Sequence, residues 1–112
     1  MRNFWYHIQE QSIAVVYFAA IKENMIMYNK EIVVRCESGL HNRQATYFVQ
    51  KANEFYSSIW IESGSRKMNA KSLLGIMSLG VVTGATVNVV AEGPDAEAAV
   101  NALEALLQRD VY

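Results

Sequence analysis

Two side chains set close together at the start of a helix are the first candidates for chemistry in this sequence. Within Ser38-Gly39-Leu40-His41-Asn42-Arg43-Gln44-Ala45-Thr46, His41 offers an imidazole and Arg43 a permanent cation, with one residue between them. An imidazole has an unperturbed pKa of about 6.5, so a useful fraction is neutral near pH 7, and a neutral ring nitrogen is a nucleophile. The first turn of a helix leaves its backbone N–H groups without carbonyl partners and carries the positive end of the macrodipole. An anion such as a phosphoryl group is therefore stabilised beside a histidine so placed. Phosphoryl transfer asks a protein mainly for positioning and charge stabilisation, which the amides from Asn42 to Ala45 and the Arg43 guanidinium would supply. An isolated histidine near a helix start is more often an ordinary surface residue, so its surroundings must carry the case.

That placement needs a strand to deliver the loop and a helix to follow it. From Glu31 to Cys36 the chain is β-branched and apolar, with Ile32, Val34 and Cys36 on one face at period two. Glu37-Ser38-Gly39 breaks this strand. From about Asn42 to Phe55, Ala45, Phe48, Val49, Ala52 and Phe55 recur at spacings of three and four, which predicts a helix with Gln50, Lys51 and Glu54 on its wet side. A second strand from Ser58 to Glu62 turns through Ser63-Gly64-Ser65 into a third from Lys67 to Ala70. Ser72 to Leu79 reads as a short helix stopped by Gly80. Thr86 to Glu92 is the fourth strand, alternating Val87, Val89 and Ala91 against Asn88, Val90 and Glu92. After Gly93-Pro94, Asp95 is placed to cap a last helix running through Gln108, with Ala99, Val100, Leu103, Leu106 and Leu107 as its apolar stripe. The order β-α-β-β-α-β-α packs as one four-stranded antiparallel sheet with three helices on one face, an α+β architecture.

The chain of 112 residues suits one domain, and its 52% apolar and 19% charged residues suit a globular protein. A net charge of −1 gives no general pull toward nucleic acid or anionic lipid. With Cys36 as the only cysteine no internal disulfide forms, and the cytoplasm is the default compartment. Two histidines and one cysteine make no metal site, no nucleotide-loop spacing occurs, and no cofactor is implied. Residues 1 to 26 differ in character from the rest, with nine successive apolar or aromatic residues from Ile13 to Ile21. Nine residues are too few to span a bilayer, which takes about 20, and Lys22-Glu23 stands where a signal peptide would need small residues. Residues 1 to 26 are thus either an extension produced by a start placed upstream, or an extra element that covers an apolar patch or pairs two copies. His7 and Trp5 within it form no recognisable site.

Gly39-Leu40-His41, Arg43-Gln44-Ala45, Phe48-Val49-Gln50, Asn69-Ala70-Lys71-Ser72 and Gly75-Ile76-Met77-Ser78-Leu79 occur in that order. Together they resemble HPr, the histidine phosphocarrier of the bacterial sugar phosphotransferase system, over roughly Met27 to the C-terminus. The resemblance implies an open-faced β-sandwich over residues 27 to 112. It implies phosphorylation of His41 at its δ nitrogen by enzyme I, using phosphoenolpyruvate, and transfer to a sugar-specific enzyme IIA. The chain is then a stoichiometric carrier rather than an enzyme. The family usually reads His-Ala-Arg-Pro-Ala, where this chain has Asn42 and Gln44 in place of Ala and Pro. Losing a proline pre-set for the first turn is tolerable, because Gln is an adequate helix former.

Ser72 stands where Gram-positive-type members carry a regulatory serine, and on its own terms it reads equally well as a plain helix cap. The resemblance implies modification by HPr kinase/phosphorylase and, in that form, binding to the catabolite control repressor. A regulatory protein acting mainly through Ser72 is the alternative function. Leu73, Leu74 and Met77, with Thr46, match the positions by which the family docks partners. Apolar residues at helical spacing are more often core than interface, so part of this set is expected to be buried. A nucleic-acid module on the same fold finds support only in Trp60 and Arg66-Lys67, short of a basic stripe with paired aromatics.

Overall fold

The computed structural model describes residues 26–111, together with Val15. The reading of residues 1 to 26 as an extension thus falls, apart from Val15 and Ile26, outside the described residues. Seven elements follow: β1 (Met27–Val33), α1 (Asn42–Ala52), β2 (Ser58–Ser63), β3 (Arg66–Asn69), α2 (Leu73–Ser78), β4 (Thr86–Glu92) and α3 (Ala96–Gln108). The sheet order is β1-β4-β2-β3, with every neighbouring pair antiparallel. Register sets Ile32 opposite Val87 and Ile61 opposite Val89, so the period-two apolar residues of neighbouring strands share a face. Phe48 of α1, Ile76 of α2 and Leu103 and Leu107 of α3 close the core over that face. The other face carries exposed Glu31, Ser58, Lys67 and Thr86, which makes this the expected open-faced sandwich.

Several boundaries differ from the sequence reading, each for a physical reason. β1 starts at Met27 and stops at Val33, because Met27 pairs with Glu92 at the far end of β4. Beyond it, Val34 still donates to Ala85 O at 2.8 Å, whereas the N–H groups of Arg35 and Cys36 turn away to Leu107 O at 2.7 and 3.1 Å. Ile32, Val34 and Cys36 are nonetheless all buried, as the alternation requires. α1 ends at Ala52 rather than Phe55; Glu54 and Phe55 donate three residues back in a tightened last turn. Val90 lies with Asn88 and Glu92 on the open face yet is buried, being central in the sheet between Asn29 and Trp60.

Asp95 does precede α3, but its side chain makes no capping hydrogen bond. The carboxylate instead accepts from the N–H groups of Tyr56 and Ser57, both at 2.9 Å, and from the Ser57 hydroxyl at 2.5 Å. It therefore ties the start of α3 to the turn that leads into β2. Partial burial works to raise its pKa, and the bonds from the Ser57 hydroxyl and the two amides outweigh this, leaving the carboxyl below its ordinary value. A carboxyl depressed in the folded state stabilises the fold above its unfolded pKa of about 3.9, and that contribution is lost as pH falls through the folded value. Asp95→Ala is expected to cost about 2 kcal/mol at neutral pH, a fall of about 10 °C in Tm. In thermal melts the deficit should shrink as the pH is taken from 6 toward 2. A deficit independent of pH would show that the carboxylate is not the group responsible.

Candidate functional site

The histidine is held by the residue before it. Leu40 is fully buried, and its N–H donates to Val81 O at 2.9 Å. His41 follows with extended backbone (φ −127°, ψ 156°) and occupies the N-cap position of α1 without making a capping hydrogen bond, so its half-buried ring is not consumed by the helix. Asn42 takes φ +47°, a left-handed conformation that asparagine tolerates far better than most residues. The asparagine thus suits the sharp turn that aims the histidine. The helix forms without a proline: Ala45 donates to His41 O at 3.3 Å, and the Thr46 hydroxyl donates to Asn42 O at 3.1 Å.

Arg43 is exposed, and among the described residues no carboxylate pairs with it. Its charge is available to an incoming anion. His41, Asn42, Arg43 and Gln44 line an open cleft of about 560 Å³ together with Ser38, Asp110 and Val111. The Asp110 carboxylate accepts from the N–H and the hydroxyl of Ser38, at 3.3 and 3.2 Å. Cys36 is buried beneath, and burial together with the nearby Asp110 charge pushes its thiol up, which keeps it un-ionised and inert. The arrangement can receive an anion at an accessible imidazole, beside helix amides and a guanidinium.

A family model for the PTS HPr component phosphorylation site matches residues 28–109. The chain belongs to the PTS-HPr family. It is similar to the phosphocarrier protein HPr of Vibrio cholerae, 41% identical over 83 residues that cover 74% of this chain and 98% of that one. Among solved structures, HPr of Bacillus anthracis is 45% identical with a TM-score of 0.72, covering 73% of this chain and 98% of that one. Crh, the catabolite repression HPr of Bacillus subtilis, is 42% identical with a TM-score of 0.60, covering 75% of this chain and all of that one.

The other positions that family membership draws attention to are arranged as follows. Ser72 is the N-cap of α2, its Oγ accepting from Gly75 N–H at 3.1 Å, so the plain capping reading holds at the least. Leu73, Leu74 and Met77 are all exposed, Leu74 to 83%, and none of them belongs to the core. The expectation that some would be buried is corrected: Ile76 alone supplies the buried face of this short helix. Thr46 is half-buried, with its hydroxyl bonded within α1. Tyr47 of α1 and Val82 are exposed as well, and the sequence reading passed over both. Gly39 lies against the main chain of Val81 and Val82, which brings Val82 beside the histidine loop.

The residues of the nucleic-acid reading are engaged within the fold. Lys67 Nζ stands 4.2 Å from the centroid of the Trp60 ring, and the Trp60 indole N–H donates to Glu62 at 3.3 Å. Arg66 donates to Ser78 O at 2.7 Å. Among the described residues no group of three or more potential ligands could hold a metal ion, and no helix is long and apolar enough to cross a membrane.

Proposed function

We propose that this chain is a phosphoryl carrier in which His41 accepts a phosphoryl group from enzyme I and passes it to a sugar-specific enzyme IIA. The observation that carries the reading is the accessible imidazole in extended backbone immediately before α1, with its ring uncommitted and Arg43 two residues on. The lone pair of the ring nitrogen forms the N–P bond as the bond from phosphorus to the donor's leaving atom breaks. The first-turn amides and Arg43 offset the charge gathered on the phosphoryl oxygens. The cleft that His41 lines is open, as a site that two partners visit in turn must be. The exposed Leu73, Leu74, Met77, Tyr47 and Val82, with Thr46, form the surface on which those partners dock. In this reading the chain is a stoichiometric substrate and not itself an enzyme. Incubation with phosphoenolpyruvate and enzyme I should add one acid-labile phosphoryl group per chain, mapped to His41. Absence of label, with the same enzyme I active on a known HPr, would remove the carrier reading.

The geometry of Ser72 favours a second, regulatory use through HPr kinase/phosphorylase and the catabolite control repressor, a role consistent with the likeness to Crh. Ser72 Oγ already serves as an acceptor at the start of α2, so a phosphoryl group in place of the hydroxyl proton keeps that bond and adds charge at a helix N-terminus. Incubation with HPr kinase and ATP should give an acid-stable product that Ser72→Ala lacks. The same substitution should cost about 1 kcal/mol through the lost cap. Label that persists in Ser72→Ala would place the regulatory site elsewhere.

A further inference from the structure

Gln44 occupies the position where the family usually has proline, and it is 2% exposed. Its carboxamide is spent on one segment of chain. Nε2 donates to Leu106 O and, at 3.3 Å, to Arg109 O, while Oε1 accepts from Val111 N–H at 3.0 Å. The reason lies in how α3 ends. Its last residue is Gln108, no glycine follows, and Arg109 continues in extended conformation (φ −154°, ψ 158°), so the final carbonyls have no left-handed turn to satisfy them. Leu107 O is met by the N–H groups of Arg35 and Cys36, and Leu106 O and Arg109 O by Gln44. A side chain from the first turn of α1 thus caps the C-terminus of α3.

This cap bears on the histidine cleft. Asp110 and Val111 line it together with His41 and Arg43, and the segment carrying them is tied at two points, to Gln44 and to Ser38. These ties bracket the residues from Gly39 to Arg43 in sequence. We propose that Gln44 is a positioning residue: it fixes Asp110 and Val111 in the lining of the His41 cleft, and so sets where a phosphoryl group rests in that cleft beside Arg43. The inference rests on the reading of His41 as the phosphoryl acceptor. It also accounts for a first turn without proline, since an element held from outside by three hydrogen bonds does not need a pre-set φ at that residue.

The test uses the full chain with two single variants. Gln44→Ala removes the clamp; Gln44→Pro also removes it while restoring a residue suited to a helix start, and serves if the alanine variant folds poorly. Amide exchange at Val111 should rise by about 10-fold or more in either variant. Transfer from enzyme I should lose about 10-fold in kcat at nearly unchanged KM, because the docking surface is untouched while the acceptor geometry slackens. Combining Gln44→Ala with Asp110→Ala should cost no more than the worse single change, since both ties hold one segment. Losses that multiply would show that Gln44 acts through α1 alone and overturn the proposal. Unchanged exchange at Val111 would overturn the clamp itself. Faster exchange with unchanged transfer would overturn the positioning role and leave His41 as acceptor. A wild-type chain that takes no phosphoryl group would end both.

Discussion

His41→Ala is expected to lower phosphoryl uptake from enzyme I by about 10³-fold or more, to the limit of detection, while leaving the fold intact. Among the described residues no neighbour can take the ring's place. The Ser38 hydroxyl donates to the Asp110 carboxylate and the Cys36 thiol is buried and kept protonated, so neither presents a nucleophile to the cleft. The half-buried ring makes no capping bond and lies outside the core, so its removal should shift stability by no more than about 0.5 kcal/mol. Radiolabel uptake and a thermal melt on the same preparation therefore separate function from folding. Arg43→Ala should lose only about 10-fold, because an exposed guanidinium acts through solvent and salt that screen it. That loss should widen as ionic strength is lowered, since screening weakens and wild type gains what the variant lacks. An Arg43→Ala variant as inactive as His41→Ala would mean that the cation does more than offset charge. Uptake that survives in His41→Ala would place the acceptor on another residue.

How much of this could be read from residues in order depended on how local each signal was. β4 from Thr86 to Glu92 was legible residue by residue, since alternation within one strand is a nearest-neighbour pattern. Ser72 as the start of α2 was legible for the same reason: a serine three residues before the N–H it accepts needs nothing from elsewhere. Asp95 was misread because its partners, Tyr56 and Ser57, lie 39 and 38 residues away. Only the pairing of Ser58 with Glu92, which joins β2 to β4, brings that turn within reach of its carboxylate. The burial of Gln44 was hidden likewise, though the sequence held a clue in the absence of glycine after Gln108. A helix that ends without such a residue must find donors for its last carbonyls, and here they come from α1 and from the loop after β1. The place of the histidine loop, between β1 and α1, was legible by type and spacing. What spacing did not convey was that Asp110 and Val111, about 70 residues on, complete the lining of its cleft.

Gly39→Ala should cost about 3 kcal/mol, lowering Tm by about 15 °C, and should impair phosphoryl uptake even where the protein remains folded. Two effects add at this residue. Its φ of +64° is strained for any residue with a Cβ. A Cβ there would also stand 2.4 Å from Val81 O and 3.0 Å from Val82 Cα, main-chain atoms that cannot rotate aside. Val81 O is the acceptor for Leu40 N–H, so relief requires either that the loop lift away from this bond or that residues 81 and 82 retreat. The first displaces His41, one residue beyond Leu40; the second displaces Val82 from the proposed docking surface. Gly64→Ala is the matching control. Gly64 has nearly the same φ, +61°, but nothing lies within 4 Å of its would-be Cβ in the turn between β2 and β3. It should lose only about 1 kcal/mol from backbone strain and transfer phosphoryl groups at the wild-type rate. The difference between the two variants isolates the contact from the conformation. If Gly39→Ala accepts phosphate as fast as Gly64→Ala, the packing of Gly39 on residues 81 and 82 does not set the pose of the histidine, and Leu40 alone anchors it.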